Sequence, residues 1–434
     1  MLCTACVFWF KAVYGEHPEA LRELIYKKGN GMDEELYGKS KESDMPEKGK
    51  TEENKPDGTK RSEPENGNPE GRVSPELSEA SEGAETAGNE FREEWEPEGR
   101  GPEGSYSQSS PEKLRRQDVR RSNKAAGWLS LIGLLLYLFL SLALGAVGKN
   151  ISFGTELLFS QLVILVPPLV YLFLFRKKHP EERLLEFRRI GFGNTVLLLL
   201  FAVCFYPVLS FTNLFSQLFV DNAISETIST ASYSMPFWEM LLFVAVIPAL
   251  VEETVYRGTY FGTWKRESVV WAAVFSGLLF GMMHMNFNQF AYAFVLGFVF
   301  ALLDAALGSL HASMLIHCLY NSLSVCGIYL ANDLLSFLGE TEAATEAAEV
   351  LSDSASYRTL VLESLAGMLP SLLVGLVLSF FLYRLLAERC GTWNKLKDEF
   401  TGKGKGRAGR IVSLPLLVSF VLMLGLMILT ESYN

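Results

Sequence analysis

The sequence predicts an all-α protein, a polytopic membrane helical bundle of about eight to nine transmembrane helices with a long disordered N-terminal cytoplasmic tail. Three observations predict this fold class: apolar stretches recur after residue 124, basic residues occur in alternate loops, and acidic residues are concentrated before the first stretch. A helix needs about 20 apolar residues to cross a hydrocarbon core about 30 Å thick. Nine stretches approach that length: about 125–147, 157–175, 195–219, 237–256, 268–284, 289–307, 309–330, 363–387 and 411–430.

The N-terminal segment differs in composition from the rest of the chain. Residues 31–110 contain 22 Asp or Glu and 10 Lys or Arg, a net charge of −12. Such a segment buries too little apolar surface to offset its chain entropy, so we expect it to be disordered. The predicted domains are a short apolar and helical segment (1–30), an acidic tail ending in a basic juxtamembrane cluster (31–124), a membrane domain (125–387), and a basic loop followed by an additional transmembrane helix (388–434).

The basic residues predict the orientation of the bundle by the positive-inside rule. Six Lys or Arg lie in residues 113–124 before the first span, six lie between the second and third, and eight lie from Arg384, near the end of the eighth span, to Arg410. The alternate loops are almost free of them: residues 220–236 contain none and 331–360 contain only Arg358. The basic loops, including the one after the fourth span that begins at Arg257, then fall on one side, which we expect to be the cytoplasm.

This orientation makes the acidic tail cytoplasmic. We expect it to be a tether or an interaction segment for a protein partner, and its acidity argues against a nucleic-acid partner. We expect an integral protein of a bacterial plasma membrane, in contact with membrane lipids.

The fourth apolar stretch ends in charged residues, in the sequence LVEETVYRG. Insertion scales assign about 2.5–3.5 kcal/mol to a charge at a helix centre, so three deep, unpaired charges would cost about 8–10 kcal/mol. Glu252, Glu253 and Arg257 must therefore lie at the membrane edge, pair with one another, or take part in chemistry. Residues four apart share a helix face, which predicts an ion pair between Glu253 and Arg257 and places Glu252 on the face of Tyr256.

A proline precedes these charges by one turn. Pro248 has no N–H to donate to the carbonyl of Val244, so we expect the helix to bend or loosen there.

Two later stretches also place polar side chains at helical spacing. LLFGMMHMN puts Phe280 one turn before His284, and HASMLIHCLYNS puts His317 one turn before Asn321. A single His on an apolar face is more often a packing residue than a catalyst. Several intramembrane ionisable groups, however, usually face one another or a cavity and mark a functional site. A carboxylate and an imidazole can activate water, and two donors can stabilise an oxyanion, so the set is sufficient for peptide hydrolysis.

EETVYRG, FGMMH and HCLYN, in this order, resemble the EExxxR, FxxxH and HxxxN motifs of the CPBP family, the CAAX prenyl proteases and bacteriocin-processing (Abi-type) proteases of membranes. The separations, 27 residues from Glu253 to Phe280 and 33 from His284 to His317, also fit that family. The resemblance covers about residues 200–330 and implies an intramembrane endopeptidase domain within 125–387. It leaves the acidic tail and the final span unexplained.

The resemblance also implies roles for the motif residues. Glu252 and His284 would activate water, and His317 with Asn321 would form the oxyanion site. The supporting residues would be Glu253, Arg257 and Phe280. The implied substrate is a membrane-associated or lipidated peptide or protein, prenylated in eukaryotic members of the family.

Alternatives remain open from the sequence. Glu252, His284 and His317 form a His₂Glu set that could instead hold a catalytic zinc. The chain lacks HExxH, and Asn321 is a poor zinc ligand, so we expect no cofactor and metal-independent water activation. A non-enzymatic membrane immunity or interaction protein and a transporter are the functional alternatives, but neither explains why the three motifs occur together.

Overall fold

The computed structural model describes residues 110–147, 151–220, 228, 230–338, 354–402 and 406–432, and all that follows concerns these ranges. The predicted segment 1–30 and the acidic tail up to residue 109 lie outside the described residues. The described chain contains no strand. Its helices are α1 (Pro111–Val147), α2 (Phe153–Lys178), α3 (Phe192–Ser216), α4 (237–264), α5 (Val269–Met282), α6 (Phe287–Leu307), α7 (His311–Leu338), α8 (Ser354–Arg389), α9 (Trp393–Phe400) and α10 (Leu414–Ser432).

The nine apolar stretches are all helical, and the protein is an integral membrane helical bundle, as predicted. Seven of the described helices are long and apolar enough to cross a membrane, namely α1, α2, α3, α6, α7, α8 and α10. The two remaining stretches are α4, which changes its helical type along its length, and α5, which has only 14 residues. At 1.5 Å per residue, α5 is about 21 Å long and ends within the bundle.

Two boundaries differ from the sequence prediction. The helix α1 begins at Pro111 instead of about residue 125, because the basic juxtamembrane cluster continues the apolar helix without a break. The helix α4 continues to Trp264 instead of ending near residue 256, so Arg257 lies inside the helix and not in a cytoplasmic loop. The short helix α9 was not predicted, since its eight residues are mostly polar and only Leu396 is buried.

The helix α4 contains two π-helical segments, Leu241–Val246 and Thr254–Phe261. The α-helical segment between them, Ile247–Glu253, has Pro248 in its first turn and the two glutamates at its end. The first wide turn therefore directly precedes Pro248, where a loosened helix was expected. π-helical turns are rare and occur frequently at functional sites.

The helices α5 and α6 approach closely at two glycines. A Cβ atom on Gly277 would lie 2.8 Å from the backbone nitrogen of Phe298, and one on Gly297 would lie 2.8 Å from the Cα of Gly277. Small residues allow such close backbone contact between membrane helices. A Cβ on Gly297 would also lie 3.2 Å from Nη2 of Arg257, so this glycine leaves room for the guanidinium.

Charged residues at the helix ends join α1, α2 and the turn after α4. Arg266 donates from Nη2 to Oδ2 of Asp118 at 2.9 Å, and its Nε lies 2.8 Å from Oε2 of Glu182. Lys178 donates to the other oxygen of Asp118 at 2.7 Å. We call Asp118, Lys178, Glu182 and Arg266 the helix-end cluster. It brings together three of the basic regions that the sequence places on one side of the membrane.

The additional C-terminal helix, α10, packs on α1. The hydroxyl groups of Ser130 and Ser419 lie 2.9 Å apart, and Asn123 donates to the carbonyl of Arg410 at 3.0 Å. In another part of the bundle α3 packs along α8, where Gly375 lies against the backbone of Cys204. These outer helices surround α4 to α7, which supply the motif residues.

Candidate active site

Glu253 lies at the centre of a buried group of charged residues. Its Oε1 is 3.1 Å from Nη1 of Arg257, one turn along α4, and 2.8 Å from Nδ1 of His317 on α7. The ion pair with Arg257 is the one that the four-residue spacing predicts, whereas the contact with His317 was not predicted. We call Glu252, Glu253, Arg257 and His317 the central cluster. All four are buried, and Arg257 is 0% exposed.

Two aromatic rings hold the guanidinium of Arg257. Its central carbon lies 4.3 Å from the ring centre of Phe280 and 5.2 Å from that of Phe300. Within the described residues, its nitrogens form no hydrogen bond of good geometry. The guanidinium is therefore held by its charge contact with Glu253 and by cation–π attraction, which is strongest where water is excluded. The possibility that Arg257 extends to the membrane surface is wrong for this structure.

Glu252 faces a different set of partners from Glu253. Its Oε1 accepts a hydrogen bond from Nε2 of Gln161 on α2 at 3.0 Å, and its Oε2 lies 3.8 Å from Nε2 of His317. It lines a cavity of about 30 Å³ that His284 and Tyr256 also line. A cavity of that size holds one or two water molecules. The sequence predicted that Glu252 and Tyr256 share a helix face, and both residues line this cavity.

His284 lies in the turn between α5 and α6, and not within a helix. Its Nδ1 is 2.7 Å from the carbonyl oxygen of Phe280. A carbonyl can only accept a hydrogen bond, so Nδ1 carries the hydrogen and the neutral ring has its lone pair on Nε2. An imidazole in this tautomer can accept a proton from water.

The short turn explains how His284 reaches the depth of Glu252. Because α5 ends at Met282, the turn lies inside the bundle, and Met285 has a left-handed backbone with φ of 54°. Asn286 caps α6 by accepting a hydrogen bond from the backbone N–H of Gln289 at 2.9 Å. Non-helical backbone is tolerated at membrane depth only where protein surrounds it, and Met285 and Asn286 are both buried.

Asn321 forms a hydrogen bond to the backbone of α4. Its Nδ2 donates to the carbonyl of Val244 at 3.0 Å. This is the carbonyl to which Pro248, having no backbone N–H, cannot donate. The amide nitrogen has a second hydrogen for another acceptor. Asn321 also lines a second cavity, of about 280 Å³, between α3, α4, α6 and α7. Glu252 and His284 thus line one cavity, Asn321 lines another, and His317 lies within 4 Å of Glu252.

Residues 234–323 match the family described as Rce1-like, type II CAAX prenyl endopeptidase. The match covers 90 of the 434 residues, and we call them the Rce1-like segment. It begins just before α4 and ends two residues after Asn321, so it contains the three motifs and the buried turn of His284. The chain has no match among curated proteins or among solved structures. The family is one of membrane proteases, and the match agrees with the CAAX-protease resemblance of the motifs.

Gln161 lies outside the Rce1-like segment, and the sequence analysis missed it. A signal was present in LFSQLVIL, where Ser160 and Gln161 are the polar residues of an apolar run. A buried amide side chain needs a hydrogen-bonding partner, which points to a polar group on a neighbouring helix. The sequence gives no indication of which helix that is, since the contact joins residues 91 positions apart.

The zinc alternative from the sequence concerns Glu252, His284 and His317, which all lie in the Rce1-like segment. Within the described ranges, no three His, Cys, Asp or Glu side chains are grouped closely enough to hold a metal ion. The choice between a zinc site and metal-independent water activation stays a prediction. Nδ1 of His317 already contacts Glu253, which leaves only Nε2 of that ring for another partner.

Proposed function

We propose that the protein is an intramembrane endopeptidase that cleaves a peptide bond of a lipidated, membrane-associated protein or peptide. The observation that carries this proposal is that Glu252 and His284, from separate motifs, line one cavity with room for water. The match of residues 234–323 to CAAX prenyl endopeptidases supports a prenylated protein as the substrate class. The basic helix ends support access from the cytoplasm.

The proposed reaction begins with water held between Glu252 and His284. The water oxygen attacks the carbonyl carbon of the scissile peptide while one of its protons passes to Glu252 or to Nε2 of His284. When the tetrahedral intermediate collapses, the C–N bond breaks and the leaving amine takes that proton. The step needs no nucleophilic side chain and no metal ion.

His317 and Asn321 would stabilise the oxyanion of the intermediate. Glu253 accepts the hydrogen on Nδ1 of His317, so Nε2 donates only when the ring is an imidazolium. In that form the central cluster has two positive and two negative charges, a balanced set in a medium that disfavours unpaired charge. The second hydrogen of the Asn321 amide would be the other donor.

The cavity of about 280 Å³ beside Asn321 would hold the peptide portion of the substrate. Its lining combines apolar side chains with hydroxyl and amide groups and includes no charged residue among those described. Uncharged donors and acceptors suit a peptide backbone, whose amides need partners when they leave water. Ligand pockets generally have this mixture of apolar walls and a few polar groups.

The direct test measures cleavage of a fluorogenic prenylated peptide by purified protein in detergent or vesicles. We predict that Glu252→Gln lowers kcat by about 10³-fold or more, within or above the range of a positioned acid–base group. The matched control is Glu239→Gln, the same substitution near the start of α4 and outside both cavities, which should keep full activity. Full activity in Glu252→Gln, with the protein folded, would reject the proposed site.

A further inference from the structure

A glutamine from outside the Rce1-like segment reaches the catalytic carboxylate. Gln161 is 7% exposed and lies in the N-terminal half of α2, a helix that is mostly apolar. Its Nε2 donates to Oε1 of Glu252 at 3.0 Å. An ionised carboxylate can only accept, so the amide must present its NH₂ to Glu252 and its oxygen elsewhere.

The remaining oxygens of the pair accept no hydrogen bond from the described residues, although Oε2 of Glu252 lies 3.8 Å from Nε2 of His317. Both oxygens, Oε1 of Gln161 and Oε2 of Glu252, are buried. Burying such atoms without a partner costs about 1–3 kcal/mol each. The cavity of about 30 Å³ is lined by both residues and by His284, and it has the volume for a water molecule.

The two oxygens suit the two hydrogens of one water molecule. A water that donates to Oε1 of Gln161 and to Oε2 of Glu252 keeps its lone pairs free for attack on a carbonyl. In this arrangement Glu252, and not His284, takes the proton from the water. One hydrogen then faces the general base, while the other is held by a group that cannot take it. An apolar residue at position 161 would leave the rotation of both the carboxylate and the water unrestrained.

We propose that Gln161 is a positioning residue that fixes the carboxylate of Glu252 and, through its amide oxygen, the attacking water. This inference rests on the proposed peptidase function. It extends the site beyond the Rce1-like segment to α2, which would explain why α2 packs directly against α4. A purely structural glutamine would tie two helices together without affecting the chemical step.

The experiment compares Gln161→Met, which keeps the side-chain length and removes its polar atoms, with the wild type on the prenylated peptide. We expect kcat to fall about 10- to 100-fold, since acid–base groups and water both lose their alignment, while KM changes less than about 2-fold. Gln161→Asn should restore little of the rate, because its shorter amide cannot reach both partners. The matched control is Gln217→Leu, which removes a glutamine that accepts a hydrogen bond from Tyr357 at 2.7 Å, and it should leave kcat unchanged.

The outcomes separate this inference from the proposed function. If Glu252→Gln is inactive but Gln161→Met keeps wild-type kcat, the positioning role is wrong and the peptidase site stands. If the wild type cleaves no prenylated peptide, the proposed function fails, and the pair is examined by thermal unfolding of Gln161→Met, Glu252→Gln and the double variant. Additive shifts in Tm would then reject the contact itself, whereas a double variant no less stable than Gln161→Met alone would support it.

Discussion

The molecule has two clusters of charged residues that differ in what surrounds them. The helix-end cluster joins Asp118 to Lys178 and Arg266, and its side chains range from 11% to 59% exposed. The central cluster contains the same kinds of charge, but Arg257 and Glu253 are 0% exposed and His317 is 1% exposed. Water can replace any partner lost from the first cluster, whereas Glu253, Arg257 and His317 of the second cluster are shielded from bulk solvent.

This difference determines what each cluster can do. Exposed ion pairs contribute at most about 1 kcal/mol, since solvent screens the charges and the side chains lose entropy. Buried pairs are costly to desolvate, and removing one partner is severe because it leaves an uncompensated charge. A sequence retains such charges inside a membrane protein mainly where they serve function. We therefore expect substitutions in the two clusters to have effects of very different size.

The largest effect on stability is expected for Arg257. Arg257→Leu leaves the Glu253 carboxylate buried with His317 as its one remaining partner, and we predict a loss of about 3–5 kcal/mol, measured as a lower Tm in detergent. The double variant Glu253→Leu/Arg257→Met removes both charges and should be more stable than the single variant. The double variant should be inactive, because Nδ1 of His317 then has no carboxylate to accept its hydrogen.

Arg384→Leu is the matched control for Arg257→Leu. Arg384 and Glu388 are also four residues apart, at 2.8 Å, but both are about half exposed. We predict that Arg384→Leu lowers the free energy of unfolding by at most about 1 kcal/mol, so its Tm should change little. Equal losses of stability for Arg257→Leu and Arg384→Leu would remove the distinction between buried and exposed clusters.

The next effect concerns catalysis at His317 and Asn321. We predict that His317→Ala and Asn321→Ala each lower kcat by about 10²- to 10³-fold, the range for loss of one oxyanion donor. Asn332→Ala is the control, since it removes an amide of the same helix that donates to Ser232, away from the motifs. If Asn321→Ala lowers Tm without changing kcat, the hydrogen bond to Val244 is the whole role of that side chain.

The sequence predicted the helices better than the depth of the site. Apolar stretches and helical spacing were sufficient for the bundle and for the Glu253–Arg257 pair, because both depend on residues close in sequence. The buried turn that carries His284 was not predicted, since nothing in VVWAAVFSGLLFGM indicates that α5 is short and is followed by such a turn. The Glu253–His317 contact spans 64 positions and depends on how α7 packs on α4, which spacing along one helix cannot give.

The different surroundings of Glu252 and Glu253 were predicted in part. The sequence separated Glu253, paired with Arg257, from Glu252, facing a cavity, because adjacent residues on a helix point about 100° apart. It did not predict that Glu253 would also contact a histidine of the proposed site. Gln161 was missed for a related reason: a single amide on an apolar helix signals that a partner exists but does not identify it.

A small effect is expected in the helix-end cluster. Asp118→Asn removes the acceptor charge for Lys178 and Arg266, yet both can turn to water or, for Arg266, to Glu182. We predict a loss of stability of at most about 1 kcal/mol and an unchanged kcat on the prenylated peptide. A drop in kcat at constant Tm would mean that a substitution in the helix-end cluster alters the geometry of the central cluster. The two clusters could then no longer be treated as independent.

The smallest expected effect is that of a chelator, and it tests whether the charges of the central cluster balance without a metal ion. With His317 as an imidazolium the four residues carry no net charge, so the proposed mechanism has no need of a divalent cation there. Purified active protein should contain far less than one zinc per chain, and prolonged treatment with a strong chelator should leave kcat within about 2-fold of the untreated value. A catalytic zinc site would instead give about one zinc per active chain. A chelator would then remove both the zinc and the activity, and added zinc would restore the activity. Metal-independent water activation would be overturned if the active protein contains stoichiometric zinc that His317→Ala loses together with activity and Asn321→Ala keeps. His317 would then be a zinc ligand instead of an oxyanion donor.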